Sequence, residues 1–289
     1  MTPREKGFIL LSSHLGYGDR PVLTPAMMKK VQAQVARVRL ENPDRQLSVS
    51  ELLNIGLEPA LAERVSTLMQ DHVMLEQYLL KARQAGCVPL TPFADAYPKR
   101  LWQRLGYEGP CCLWAKGNLS LLSRPTVAIV GSRDPRPAAA DFAVAAGRAV
   151  ARQGYVLVSG NARGVDHLAQ TACLAAGGAV ISVVPEDLYS KRPHDRIVYL
   201  SESDFDAGFS AQRALSRNHI IQSMGELTLV SQCREGKGGT WSGSYANLKN
   251  KWSPIACFND GTSGAYALER LGARLVTIED LERVIIENE

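Results

Sequence analysis

The sequence predicts an α/β protein: an extended Rossmann-like, doubly wound and mostly parallel sheet, preceded by a small all-helical domain. Two observations carry that expectation. The first third repeats helix-capping signals and helical spacing, whereas after Gly86 short apolar runs alternate with longer helical stretches, the pattern of βαβ units whose strands are buried on both faces. The length of 289 residues is also more than one small domain needs. The expected boundary separates a helical unit at 1–85, with SAM-like or helix-hairpin-helix-like character, from a Rossmann domain at 86–289.

Taken in order, Thr24-Pro25 supplies a cap and a first-turn proline for a helix reaching Leu40 and closing at Asn42-Pro43. Ser48-Val49-Ser50-Glu51 has capping-box spacing and opens a short helix that Gly56 ends; Asp71 can cap a longer one that finishes at Gly86. The arrangement around Ile55-Gly56-Leu57 is either a helix-hairpin-helix offering amides to a phosphate or a tight interhelical turn. Cys87 to Leu90 is a short apolar run, and Thr91 to Pro125 is irregular and punctuated by proline. Strands are expected at Thr126–Val130, Tyr155–Val158, Ala179–Val184, Leu227–Val230, Ile255–Phe258 and Leu275–Ile278. Helices are expected at Pro137–Arg152, Val165–Ala176, Trp241–Lys249, Ala265–Leu271 and the end of the chain.

Composition narrows the function classes. With 45% hydrophobic and 21% charged residues the chain can build a core, which excludes a mainly disordered protein. A net charge of +4 permits a polyanionic partner without requiring one, so the position of the charges matters more. The six cysteines form no C-x-x-C pair and have no histidine at zinc spacing, so they read as reduced, buried thiols and no metal is expected. Phe8–Leu11 is too short for a signal-peptide core, and no run approaches the ~18 apolar residues of a membrane span. A cytoplasmic protein without membrane contact or cofactor is expected.

In a doubly wound sheet ligands bind beyond the carboxyl ends of the strands. After the first strand comes Gly131-Ser132-Arg133, with a glycine for close approach, a hydroxyl and a planar cation suited to phosphate; the alternative is a tight turn with a solvated arginine. After the second comes Ser159-Gly160-Asn161-Ala162-Arg163-Gly164-Val165-Asp166. Here Arg163 can meet an anion at a helix start, while Asp166 complements the helix dipole and orients Arg163, or serves as a catalytic carboxylate. Arg217-Asn218-His219 precedes the fourth strand, and Lys237-Gly238-Gly239-Thr240 follows it as a phosphate cradle before a helix. This is no P-loop, because the lysine precedes the glycines and no G-K-[ST] follows. A dinucleotide fingerprint is missing too, which removes the main support for a nicotinamide or flavin cofactor. Arg133, Arg163, Arg217 and Lys237 together make a basic pocket for an anion.

The ordered series Tyr97-Pro98 with Leu101, Pro110 to Gly117-Asn118, Val127 to Arg133, Ser159 to Asp166, Gly177-Gly178, Ser201-Glu202, Arg217 to Ile221, Gly238 to Thr240 and Gly272-Ala273 resembles the DNA-processing protein A family, also called DprA or Smf. The resemblance covers about two thirds of the chain. It implies a non-enzymatic protein that binds single-stranded DNA in a basic pocket, protects it, dimerises and helps load a RecA-type recombinase during DNA uptake or recombination. The family's pocket maps here onto Ser132, Arg133, Gly160, Arg163, Arg217, Asn218 and Gly238 to Thr240. The chain departs from the pattern at Gln170, where histidine is usual, at His219, where a second arginine is usual, at Asn161, and at Ser231–Cys233, which replaces Glu-Ala. No winged-helix domain is expected after the sheet. His219 at the family's second-arginine position is expected to touch DNA weakly, so that His219→Arg would tighten binding.

Affinity of that kind rests on phosphates, while stacking discriminates single strands; Tyr189, Phe209 and Trp241 are either stacking faces or core aromatics. The competing readings are a phosphoribohydrolase of the Lonely Guy type, whose Gly-Gly-x-Gly-Thr loop is loosely echoed by Gly238-Gly239-Thr240, and a sensor of a small signalling nucleotide. Against the first, Trp241-Ser242-Gly243-Ser244 follows the threonine where a glutamate would be needed. Nucleophilic catalysis has no support, since no histidine has a serine or cysteine partner in an elbow motif.

Overall fold

A computed structural model describes residues 1–38 and 45–287. Five helices open the chain: α1 (Pro3–Ser12), α2 (Pro25–Val35), α3 (Val49–Asn54), α4 (Pro59–Met69) and α5 (His72–Gln84). Their starts are local in origin. Thr2 with Glu5 and Ser48 with Glu51 form complete capping boxes, Thr24 accepts the Met27 N–H, and α1, α2 and α4 carry proline in their first turns. The expected close of α2 at Asn42-Pro43 lies outside the described residues. Asp71 stands at the start of α5 but makes no capping bond. Its carboxylate instead takes the buried Arg20 guanidinium at 2.9 Å, which also donates to the carbonyls of Leu10, Ser13 and Leu68. One arginine thereby satisfies orphan carbonyls at the ends of α1 and α4.

The remainder is β1 (Val88–Leu90), α6 (Lys99–Leu105), β2 (Leu113–Gly117), β3 (Thr126–Val130), α7 (Pro137–Arg152), β4 (Val156–Ser159), α8 (Val165–Ala175), β5 (Ala179–Val183), β6 (Ile197–Ser201), α9 (Ala211–Met224), β7 (Leu227–Val230), α10 (Gly238–Asn250), β8 (Ile255–Phe258), α11 (Ser263–Arg270), β9 (Arg274–Val276) and α12 (Leu281–Ile286). The sheet has the order β1-β2-β6-β5-β4-β3-β7-β8-β9. It is parallel from β6 to β9, with β2 antiparallel to β6 and β1 antiparallel to β2. The expected mostly parallel, doubly wound sheet is therefore present.

Three segments differ from the sequence expectation. The supposedly irregular 91–125 stretch contains α6 and the buried strand β2. Lys116 concealed that strand: its ammonium is buried by donating to the carbonyls of Leu188 and Tyr189 at 3.0 and 3.3 Å. β6 has no counterpart among the expected strands, and Arg217–Ile221 lies inside α9 rather than in a loop before a strand.

One face of the sheet is covered by α7, α8 and α12, with Phe142, Ala146, Ala169 and Ile285 in the core. The other is covered by α6, α9, α10 and α11 through Leu101, Ile220, Leu248 and Leu268. The opening helices pack on the antiparallel end, where Ile9, Leu10, Leu75 and Tyr78 meet Trp114 of β2 and Phe205. The Tyr78 and Trp114 rings lie 5.4 Å apart edge to face, a geometry that adds to plain burial. All six cysteines are buried and unpaired, and burial pushes the Cys233 thiol up to about 12, which keeps it unreactive. No described helix is long and apolar enough to cross a membrane.

Candidate functional site

From β3 the chain moves outward through β4, β5 and β6, then returns to place β7 on the other side of β3. The loops leaving β3 and β7 must diverge there and leave a crevice at their carboxyl ends. A cavity of about 890 Å³ occupies it, within the ~300–1,000 Å³ usual for ligand sites.

The β3 loop supplies Gly131, Ser132 and Arg133 to this cavity. The Ser132 hydroxyl donates to the Asp134 carbonyl at 2.9 Å and accepts the Asp134 N–H at 3.1 Å, which rigidifies the turn from which Arg133 projects into solvent. The β4 loop is clamped beneath it. Gly164 has φ +86°, and a Cβ there would stand 2.5 Å from the Ser132 carbonyl oxygen, so glycine is required both for the backbone angle and for the approach. Val165 N–H donates to that same carbonyl at 3.0 Å.

Opposite lies the start of α10. Lys237 is its cap residue, no side chain caps it, and Gly238, Gly239 and Thr240 form its first turn, so the first amides are open to the cavity. Thr240 Oγ1 donates to the Gly131 carbonyl at 2.8 Å and locks this turn to the β3 loop. Gly239 allows α9 to come close: a Cβ would lie 2.6 Å from Asn218 Nδ2. The predicted cradle at Gly238–Thr240 is thus the first turn of the helix itself, which begins three residues earlier than expected.

Arg217 forms the floor. It is 4% exposed and donates one terminal nitrogen to the Val183 carbonyl at 2.6 Å, while its Nε has no hydrogen-bond partner among the described residues. Burial lowers its pKa, and the neighbouring carboxylates of Asp166, Glu186 and Glu202 offset this. Asp166 is buried as well; burial pushes its carboxyl up, against the opposing pull of Arg217 and the Ala162 N–H. Its carboxylate accepts the Ala162 N–H within the β4 loop at 3.3 Å and lies in the field of Arg217, whereas the Arg163 Nε donates to the Arg133 carbonyl at 3.3 Å on the exposed rim; the expected contact from Asp166 to Arg163 is not among the hydrogen bonds of the described residues.

Gly131, Ser132, Arg133, Arg217, Asn218, Lys237, Gly238, Gly239 and Thr240 therefore line one cavity together with Asp166. Ser159, Gly160, Asn161, Arg163, Gly164 and His219 do not. Ser159 is buried, its hydroxyl donating to the Ile129 carbonyl at 2.8 Å, Gly160 backs the Arg217 guanidinium, and Asn161 adopts φ +55° in the turn. His219 stands on another face of α9, its ring 5.3 Å from that of Trp252.

Sequence reasoning missed Arg136, Gln232, Leu215 and the α11 start at Thr262–Gly264, all of which line the cavity. Arg136 immediately precedes the α7 proline, a position that could have flagged it. Gln232 accepts the Arg136 N–H at 3.1 Å and donates to Asp260 at 3.0 Å, fixing the cavity wall. Among the described residues the cavity lining carries Arg133, Arg136, Arg217, Arg234 and Lys237 against Asp134, Asp166 and Glu235, and Glu235 pairs with Arg270 at 3.3 Å. The cavity is consequently cationic and suited to an oxyanion. Of the three aromatic candidates, Phe209 lines it; Trp241 is half-buried against the core and Tyr189 packs on Phe205.

Residues 89–287 match the family model described as DNA recombination-mediator protein A. The DNA processing protein DprA of Bacillus subtilis is 26% identical over 228 residues, covering 73% of this chain and 76% of that protein. Its counterpart in Streptococcus pneumoniae is 28% identical over 252 residues, covering 82% and 86%. The X-ray structure of the S. pneumoniae protein has the same fold over 100% of this chain and 99% of its own, with TM-score 0.77 and 24% identity. A Helicobacter pylori DNA processing protein A, studied for its single-stranded DNA binding mode, matches 70% of this chain and 96% of its own with TM-score 0.58 and 23% identity.

Proposed function

The chain belongs to the DNA recombination-mediator protein A family, and from that membership we propose that its cationic cavity binds single-stranded DNA through the phosphates. The observation that carries the reading is the convergence of Arg133, Lys237 and the open amides of α10 above a buried Arg217 at the switch point of the sheet. Such donors suit a phosphate backbone and carry no sequence code. The single-stranded DNA binding mode described for the H. pylori protein supports the same ligand class. In this reading the protein works in the cytoplasm as a homodimer, protects the strand and helps load a RecA-type recombinase. It does so without catalysis: Asp166 is buried and takes the Ala162 amide, and no carboxylate follows Thr240.

Fluorescence anisotropy with single-stranded and duplex oligonucleotides across a salt series tests the proposal. Single strands should bind preferentially. In the Arg133→Ala/Lys237→Ala double variant, affinity should fall at least about tenfold, as expected for losing charge-assisted contacts. The plot of log K against log salt should flatten by about 1.4, because each neutralised phosphate on a single strand contributes roughly 0.7. Equal binding of duplex, or an unchanged slope, would refute the assignment. His219→Arg, by contrast, should leave affinity within about twofold, since that side chain stands beside Trp252 outside the cavity lining and mutations that touch no contact change little; clear tightening in the same titration would show otherwise.

A further inference from the structure

A second cavity, of about 460 Å³, lies where the opening helices meet the sheet. Its walls come from the turn after α1, from the segment between β6 and α9, and from Trp114 of β2. A crevice of that size at the junction of two structural units is a common place for a small ligand. Its polarity is opposite to that of the phosphate cavity. Among the described residues the lining carries the carboxylates of Glu202, Asp204 and Asp206 against the guanidinium of Arg213, so it favours a cation where the other favours an anion.

The three carboxylates are unequally matched. Asp206 takes the Tyr78 hydroxyl at 2.5 Å and the Lys81 ammonium at 2.7 Å. Asp204 is 7% exposed, yet among the described residues it takes only neutral donors, the Ser13 hydroxyl at 2.6 Å and the Gly16 N–H at 2.8 Å. One oxygen of Glu202 accepts the Ser216 hydroxyl at 3.1 Å, while its Oε1 is buried without a partner among the described residues. Burial pushes that carboxyl up, opposed by the Ser216 bond and by Arg217 and Arg213. A second orphan is a donor: the indole N–H of Trp114, a side chain 1% exposed, has no partner among the described residues either.

Native structures leave few buried polar atoms unpaired, and here an acceptor and a donor are left in the wall of one cavity. Water can serve either atom, but it brings no charge to set against Glu202 and Asp204. No histidine, cysteine and carboxylate side chains among the described residues are grouped to hold a metal ion, so an organic cation fits and a metal ion does not. We propose that this cavity binds a small primary amine that also carries an oxygen acceptor, the chemistry of an α-amino acid, with the ammonium at Glu202 and Asp204 and the oxygen at the Trp114 indole N–H. The site is separate from the phosphate cavity, although Ser216, which holds Glu202, directly precedes Arg217 on α9.

Calorimetric titration and thermal melting of the full chain, without DNA, test the proposal, so its outcome and that of the single-strand reading are independent. The probes are L-alanine and L-lysine, each beside the amine that lacks its carboxylate, ethylamine and cadaverine, with propionate as the acid that lacks an ammonium. At least one amino acid should bind saturably and, at a tenfold excess over its Kd, raise the melting temperature by about 2–4 °C. Its matched amine and propionate should bind at least about tenfold more weakly, the loss expected for one charge-assisted contact. Glu202→Gln and Trp114→Phe should each weaken the amino acid by a similar factor, and Trp114→Phe should leave the amine as in wild type. Where Trp114→Phe does not fold, Glu202→Gln decides alone. No binding of either amino acid, equal binding of amine and amino acid, or binding unchanged by Glu202→Gln would overturn the proposal and leave the cavity to water.

Discussion

Arg217→Met is expected to cost about 3 kcal/mol of stability in urea unfolding and to remove most binding of single strands. The side chain is 4% exposed and sits among Asp166, Glu186 and Glu202. Truncating one partner of a buried charged group strands the others without compensation, at roughly 3–5 kcal/mol. The same charge underlies the phosphate cradle, so affinity falls with it. A pH series provides an internal control. Burial already holds the Asp166 pKa above its ordinary 3.8, with Arg217 the largest opposing influence. Without the arginine that carboxyl rises further, so the folded state binds more protons than the unfolded one, and the lost stability returns as pH falls through the raised value toward 3.8. The gap between variant and wild type should therefore narrow in acid. A gap constant with pH would indicate that packing, not charge, was lost.

Gly164→Ala is expected to destabilise by at least about 3 kcal/mol and to impair binding without touching a charge. A backbone angle that only glycine adopts readily costs any other residue about 1–3 kcal/mol, and overpacking adds about 1–3 kcal/mol. Both apply at φ +86°, where the new methyl would meet the Ser132 carbonyl oxygen and the Arg133 carbonyl carbon at 2.5 and 2.6 Å. The β3 and β4 loops would have to part, breaking the Val165 N–H bond to Ser132 and displacing Arg133. Gly154→Ala is the control: φ is also positive, at +77°, but nothing lies within 4 Å of the added methyl, so only about 1 kcal/mol of backbone cost is expected. Equal losses at the two positions would show that the approach of the loops contributes nothing.

The elements legible in the sequence are those with a local cause. The runs at Thr126, Ala179, Leu227 and Ile255 are strands because they are apolar on both faces, and α2, α3 and α7 start where a cap or a proline places them. Thr2-x-x-Glu5 is equally legible as a capping box for α1. β2 escaped because a lysine interrupts it, and the carbonyls that take the ammonium come from a distant loop. Arg217 and His219 could not be told apart in the sequence. Two residues apart on a helix at 100° each, they point to nearly opposite sides, so only the placement of α9 against the sheet decides which one enters the cavity.

By itself, then, the sequence determined the α/β class, the glycine-rich turn at Gly238–Thr240, the cations around it and the family, because caps, apolar runs and motifs depend on neighbours along the chain. Tertiary structure decided the strand order that opens the crevice between β3 and β7, the burial of Asp166 near Arg217, the removal of His219 from the cavity lining and the entry of Phe209 into it. Each of these depends on which segments meet across the sheet, and that is settled by long-range packing.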